Sequence, residues 1–379
     1  MTTTPLLLVA TVCAIVGWAL FAFVPSAGGR VAGGSLALVS ASIGGGIGLP
    51  YASKVGVSVT TVIGCGVFVA GVALLVASAI ALARSVHGWP RLGVVVAVVA
   101  VSYVVLSSVG IAVAATNVPQ TSLGDATPTD FGLDYRDVTF PATDGVQLSG
   151  WYVPSRNGDA VVLLHGSGST RSAVLDHAAV LARAGYGVLL FDARGHGESD
   201  GRAMDFGWYG DRDVNGAVRF LEEQPDVGSG RILAVGLSMG GEEAIGAAAT
   251  NPRICGVVAE GATGRTAADR AWLSGAYGIR GFGQELLDRL TYGFVDVLTP
   301  ASPPRSLRSA VEEMAPRRVL LIAALRVRSE PHAADHIEGG SPRTVEVWVA
   351  PGAAHANALE ARQSEWIDRV TKFLDSARC

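Results

Sequence analysis

The sequence predicts two joined folds: an α-helical transmembrane domain, followed by a doubly wound, mostly parallel α/β sheet with a small helical cap. Three observations point there. Residues 1–124 contain no Asp or Glu and only four bases, Arg30, Lys54, Arg84 and Arg91. From residue 137 onward, short apolar runs alternate with amphipathic stretches. One of those runs, Arg231–Val235, leads straight into Gly236-Leu237-Ser238-Met239-Gly240-Gly241.

The first half is read as residues 1–118. Stretches of about 5–24, 57–83 and 92–116 are long and apolar enough to cross the roughly 30 Å of bilayer hydrocarbon as helices. A fourth, about 31–50, is apolar but rich in glycine and serine. Small residues let helices approach closely in lipid, so three to four spans are expected. The spacings Gly29…Gly33 and Gly44…Gly48 fit such packing, and they fit mere tolerance of small residues equally well. The opening Met-Thr-Thr-Thr-Pro lacks the basic start of a cleaved signal, so the first span is read as a retained anchor. No charge lies mid-span, where transport paths place theirs. The connection Arg84–Arg91 carries two arginines and is assigned to the cytoplasmic side. That puts the second half on the outer face.

The remainder holds all 33 acids and, of 29 bases, the 25 not already counted, a net of −8. Nothing in it resembles a basic patch for nucleic acid. Cys13 and Cys65 lie in apolar runs, Cys255 in a core strand, and Cys379 is the last residue. They read as neither a disulfide framework nor a metal site. Residues 119–134, rich in Thr, Pro and Gly, read as a linker, and 135–379 as the second domain. A hairpin turned at Thr143-Asp144-Gly145 opens it. Strands are expected at Ala160–Leu164, Gly187–Phe191, Arg231–Val235, Gly256–Glu260, Val319–Ala323 and Val345–Ala350. Helices are expected near Ser172–Ala184, Trp208–Gln224, Met239–Ala249 and Gln363–Ala377. Continuous apolar strands between helices indicate a parallel sheet covered on both faces.

In such a sheet, chemistry collects beyond the carboxyl ends of the strands. His165-Gly166-Ser167-Gly168, Asp192-x-Arg194-Gly195-x-Gly197-x-Ser199, Gly236-x-Ser238-x-Gly240 and the late His355 all fall there. In order and spacing these motifs resemble the α/β-hydrolases, close to the serine aminopeptidase-like and Bem46-like branch, over about residues 137–379. The first 118 residues have no share in the resemblance.

A strand running into Gly-x-Ser-x-Gly is a nucleophile elbow, in which a tight turn lifts the hydroxyl above the sheet. Ser238 is the expected nucleophile, and a serine needs a base to take its proton. His355 is that base, being the histidine that falls after the last strand, where the Ser…acid…His order requires it. The acid should follow Val319–Ala323. Many relatives have Asp a few residues beyond, whereas here Glu330 comes first and Asp335 second. Glu330 is favoured, and both could instead be surface charges beside Arg326 and Arg328. The backbone amides of Ser167 and Met239 are the expected oxyanion donors. His165, Asp192, Arg194 and His196 are read as loop-shaping residues, and Asp211 and Asp213 as helix-end charges.

The cap is placed at about 261–318. Its aromatics (Trp272, Tyr277, Phe282, Tyr292, Phe294) could line an acyl pocket or pack a helical lid, and it also carries Arg265, Arg270, Arg280 and Arg289. No pair of acids placed to grip a peptide amine is recognisable. The resemblance then implies a serine hydrolase acting through an acyl-enzyme without metal or organic cofactor; the apolar first half adds a membrane anchor and, with the aromatics, points to acyl or lipid-like esters or thioesters. A peptidase or amidase, and a catalytically silent membrane scaffold, are the alternatives.

Overall fold

The computed structural model describes residues 3–228 and 230–379. The chain divides into two compact units, Met1–Pro119 with Leu286–Pro300, and Gln120–Glu285 with Ala301–Cys379.

In the first unit four helices are long and apolar enough to cross a membrane: α1 (Thr3–Phe23), α2 (Ala27–Lys54), α3 (Val59–Ser85) and α4 (Pro90–Thr116). The glycine-rich stretch is therefore a full helix. It runs four residues past Pro50, which near a helix end forgoes only one donor. Helix α2 packs against α1, α3 and α4, and its composition explains why. A Cβ on Gly44 would stand 2.6 Å from the Phe68 amide, and one on Gly48 2.5 Å from the Cys65 amide. The small-residue spacing thus sets two backbones in contact, a closeness that no larger side chain permits. The buried Ser40 hydroxyl reaches helix carbonyls, Ala10 O at 2.9 Å and Leu36 O at 3.0 Å. Apolar side chains such as Leu8, Ile15, Val69 and Val99 face outward.

The second unit is an eight-stranded sheet in the order β1-β2-β4-β3-β5-β6-β7-β8. The strands are β1 (Arg136–Pro141), β2 (Gln147–Val153), β3 (Ala160–Leu164), β4 (Gly187–Phe191), β5 (Ile232–Leu237), β6 (Ile254–Glu260), β7 (Arg318–Ala324) and β8 (Val345–Ala350). Strand β2 pairs antiparallel with β1 and β4, and every later pairing is parallel. Successive side chains of a strand point to opposite faces. Val161 and Leu163 accordingly join one core, and Ala160, Val162 and Leu164 the other. Helices α5 (Leu175–Arg183), α11 (Ala358–Ala361) and α12 (Gln363–Ser376) cover the first face. The second is covered by α6 (Gly210–Glu222), α7 (Met239–Thr250), α9 (Leu307–Met314) and α10 (Ser329–Glu338). The order reverses around β3, whose neighbours are β4 and β5, and that switch point is where a ligand crevice forms.

Three features differ from the sequence reading. The stretch expected as a linker is partly docked, since Leu123, Phe131 and Leu133 pack on the sheet core. Cys255 and Cys379 are disulfide-bonded, a pairing that a sequence separation of 124 hid from inspection of spacing. Within the cap, α8 (Leu273–Leu298) is broken at Gly278, whose φ is +58°. The chain doubles back there, so that the Ser274 amide donates to Glu285 Oε1 at 2.7 Å.

Candidate active site

Strand β5 ends and α7 begins at Ser238, which holds φ +52° and ψ −120°. Few L-residues adopt that conformation, and it persists only where surroundings enforce it. The enforcement is visible: a Cβ on Gly236 would lie 2.3 Å from the Gly240 carbonyl carbon, and one on Gly240 2.6 Å from His165 O. The Ser238 amide donates to Glu260 O at 2.7 Å, tying the turn to β6.

The structure brings three of the expected residues into one line. His355 Nε2 lies 2.9 Å from Ser238 Oγ, and His355 Nδ1 lies 2.7 Å from Glu330 Oε1. A carboxylate accepts, so Nδ1 carries the proton and Nε2 is left to accept from the hydroxyl. The hydrogen bond that His355 donates to Glu330 raises the His355 pKa above its ordinary 6.5, against partial burial, which lowers it. Glu330 is buried at the start of α10, and its other oxygen accepts from the Ala324 amide at 2.7 Å. Asp335 is exposed on the same helix, and the carboxylate that meets His355 is that of Glu330.

The Gly166 loop passes beside the serine, for a Cβ on Gly166 would stand 3.4 Å from that of Ser238. Among the described residues, neither the Ser167 nor the Met239 amide has a hydrogen-bond acceptor. The Ser167 hydroxyl is bonded to Asp205, which steadies the loop. The Met239 amide opens α7, where helix dipoles favour negative charge.

The remaining candidates are structural. His165 donates through Nδ1 to Gly166 O at 2.8 Å and accepts at Nε2 from the Ala193 amide at 3.0 Å. Burial lowers its pKa to about 3, so it is neutral. Asp192 pairs with the buried Arg171 at 2.6 Å. Arg194 Nε donates to Asp213 at 2.9 Å, and Arg265 pairs with Asp211 at 2.7 Å. Asp213, read as a helix-end charge, is thus the buried half of an ion pair. The adjacent acids Glu242 and Glu243 are buried under the elbow, and Glu242 accepts from the Thr263 and Gly264 amides at 2.9 and 2.8 Å.

One residue escaped the sequence reading. Buried Glu260 closes β6; its carboxylate accepts from the Ala358 amide at 2.6 Å and from Trp366 Nε1 at 3.0 Å. It therefore anchors the chain just after His355, while its carbonyl holds Ser238. A lone acid ending an otherwise apolar strand was the available signal.

A family model described as serine aminopeptidase, S33, matches residues 155–293. The crystal structure of esterase Pf2001 from Pyrococcus furiosus superposes with a TM-score of 0.53 at 28% identity, covering 68% of this chain and 97% of that one. The fold is that of the α/β-hydrolases. Two curated relatives match shorter segments. An uncharacterized protein of Mycobacterium tuberculosis is 38% identical over 120 residues, 31% of this chain and 42% of that protein. Thiohydrolase aneE of Aspergillus aculeatus is 38% identical over 124 residues, 32% of this chain and 39% of that protein. The chain thus matches about two fifths of the length of these relatives.

Proposed function

We propose that the protein is a membrane-anchored serine hydrolase of acyl esters or thioesters. The observation that carries this reading is the unbroken hydrogen-bonded line Ser238–His355–Glu330 at the strained elbow. In this mechanism His355 takes the Ser238 proton as the hydroxyl attacks the ester carbonyl, and Glu330 stabilises the imidazolium that forms. The Ser167 and Met239 amides then donate to the tetrahedral oxyanion. His355 protonates the leaving alcohol or thiol, and the same base activates water to release the acid from Ser238. Esters are preferred over peptides because the one adjacent acid pair near the elbow, Glu242 and Glu243, is buried rather than offered to a substrate amine.

The four apolar helices supply the anchor. Three of the four bases in residues 1–124 (Arg30, Arg84, Arg91) lie at the α1–α2 and α3–α4 connections, which supports an outer-face hydrolase by the positive-inside rule. The Cys255–Cys379 disulfide supports the same side, since disulfides persist in oxidising compartments.

Labelling of intact cells with a membrane-impermeant fluorophosphonate tests both parts. Labelling of the native protein, lost in Ser238→Ala, is expected. Labelling only after lysis reverses the sidedness. Refusal of the probe by lysed native protein, together with no ester turnover, leaves the silent scaffold.

A further inference from the structure

Beyond the kink at Gly278, α8 carries its apolar residues on the outside. At about 100° per residue, Ile279, Phe282, Leu286, Leu290, Phe294 and Val297 fall within an arc of roughly 120° that contains no charge. All six are exposed, with Ile279 at 87% and Val297 at 80%. The opposite side of the helix is the packed one, where Glu285, Thr291 and Val295 are buried. An exposed stripe of this length is not ordinary surface, because soluble proteins rarely expose contiguous large apolar patches.

We infer that this stripe lies in the interface of the lipid bilayer, with acyl chains as its occupant. Continuity argues for lipid. Leu286–Pro300 belongs to the same compact unit as α1–α4. Within that unit Leu298 packs on the cluster containing Leu6, Leu7, Ile43, Ile47 and Val113. Four of the six, Leu286, Leu290, Phe294 and Val297, are therefore carried by the unit whose outward surface is already apolar. Its borders fit too, since Arg280 and Arg289 stand on opposite edges of the arc, where lipid phosphates would meet an interfacial helix. The inference rests on reading α1–α4 as membrane spans.

The test uses the full chain with Cys13→Ala and Cys65→Ala, reconstituted in vesicles of phosphatidylcholine and phosphatidylglycerol. Single cysteines replace Phe282, Leu286 and Val297 on the stripe, and Gln284 off it; each is labelled with bimane. Lipids carrying a doxyl group near the headgroup end of the chain should quench the three stripe positions at least about twofold more than Gln284. Equal quenching at all four positions overturns the inference. So does intermolecular disulfide formation at the stripe cysteines without quenching, which would assign the face to a second copy of the chain. Alkaline extraction of the same vesicles separates the two readings, because release of the protein condemns the spans rather than the stripe. Unfolding midpoints equal to that of the background chain certify each variant as folded.

Discussion

Glycine stands at the closest approaches of both units, and it does different work in each. In the bundle, Gly44 and Gly48 of α2 have ordinary helical backbones and serve contact: they bring α3 in until backbone meets backbone. In the hydrolase unit, Gly236 and Gly240 serve geometry, clearing room for a serine held at φ +52°. Buried polarity divides the same way. Helices α1–α4 contain no carboxylate or imidazole. The hydrolase unit buries whole ion pairs, Arg171 with Asp192 and Arg194 with Asp213. The helical unit is built from proximity. The one that presents a hydroxyl to an imidazole at 2.9 Å accepts strain and buried charge.

The widest gap between the units should appear with Ser238→Ala. Ester turnover is expected to fall by roughly 10⁴–10⁶, as when a catalytic triad loses its nucleophile, with thermal midpoints unchanged. Steady-state kinetics beside calorimetry checks this, and a variant keeping a tenth of native turnover would erase the contrast. Glu330→Gln is next, at about 10²–10⁴ in kcat, since the amide no longer fixes the tautomer or offsets the imidazolium charge. Its pH profile adds a sign. The base must be neutral, and Glu330 raises the His355 pKa, so native kcat/KM climbs as pH rises through a midpoint above 6.5. In Glu330→Gln that midpoint should move down.

Paired glycine substitutions sharpen the comparison further. Gly48→Leu should weaken the bundle by about 1–3 kcal/mol, the usual cost of overpacking, read as a lower denaturant midpoint in detergent. Turnover of a soluble short-chain ester should stay unchanged. Gly236→Ala should do the reverse, lowering turnover while the bundle keeps its midpoint.

The smallest expected effect is in acid. Burial lowers His165 to about 3 and His177 to about 4, so both are neutral when folded. The unfolded chain binds their protons near the ordinary 6.5. Their contribution is therefore present above 6.5 and is lost as pH falls toward 3. Denaturant titrations followed by circular dichroism across that range should show the midpoint of the hydrolase unit drifting down while that of α1–α4 stays put. His177→Phe should flatten the decline.

These outcomes depend on features of very different legibility. The elbow could be read because one short motif both demands small neighbours and follows an apolar strand. The parallel strands could be read because burial on both faces leaves them continuously apolar. Glu330 was separable from Asp335 only by where α10 starts: the first faces the rim, and the second, five residues on, faces solvent. The reach of α8 was obscured by Gly275, Gly278, Gly281 and Gly283, which dilute helical periodicity just where the helix turns. The Cys255–Cys379 pair has no local signature, and the lone acid ending β6 does not name the partners of Glu260, because each joins positions that only the finished sheet brings together.

Glu260 has a consequence for how such a protein can diversify. Its carbonyl holds the Ser238 turn and its carboxylate holds the segment after His355. The spacing between the two reacting groups is thus referenced to a single point at the sheet's rim. On the proposed mechanism, outer loops could then be rewritten for new acyl groups, by selection or by an engineer, without retuning the hydrogen-bonded line beneath them.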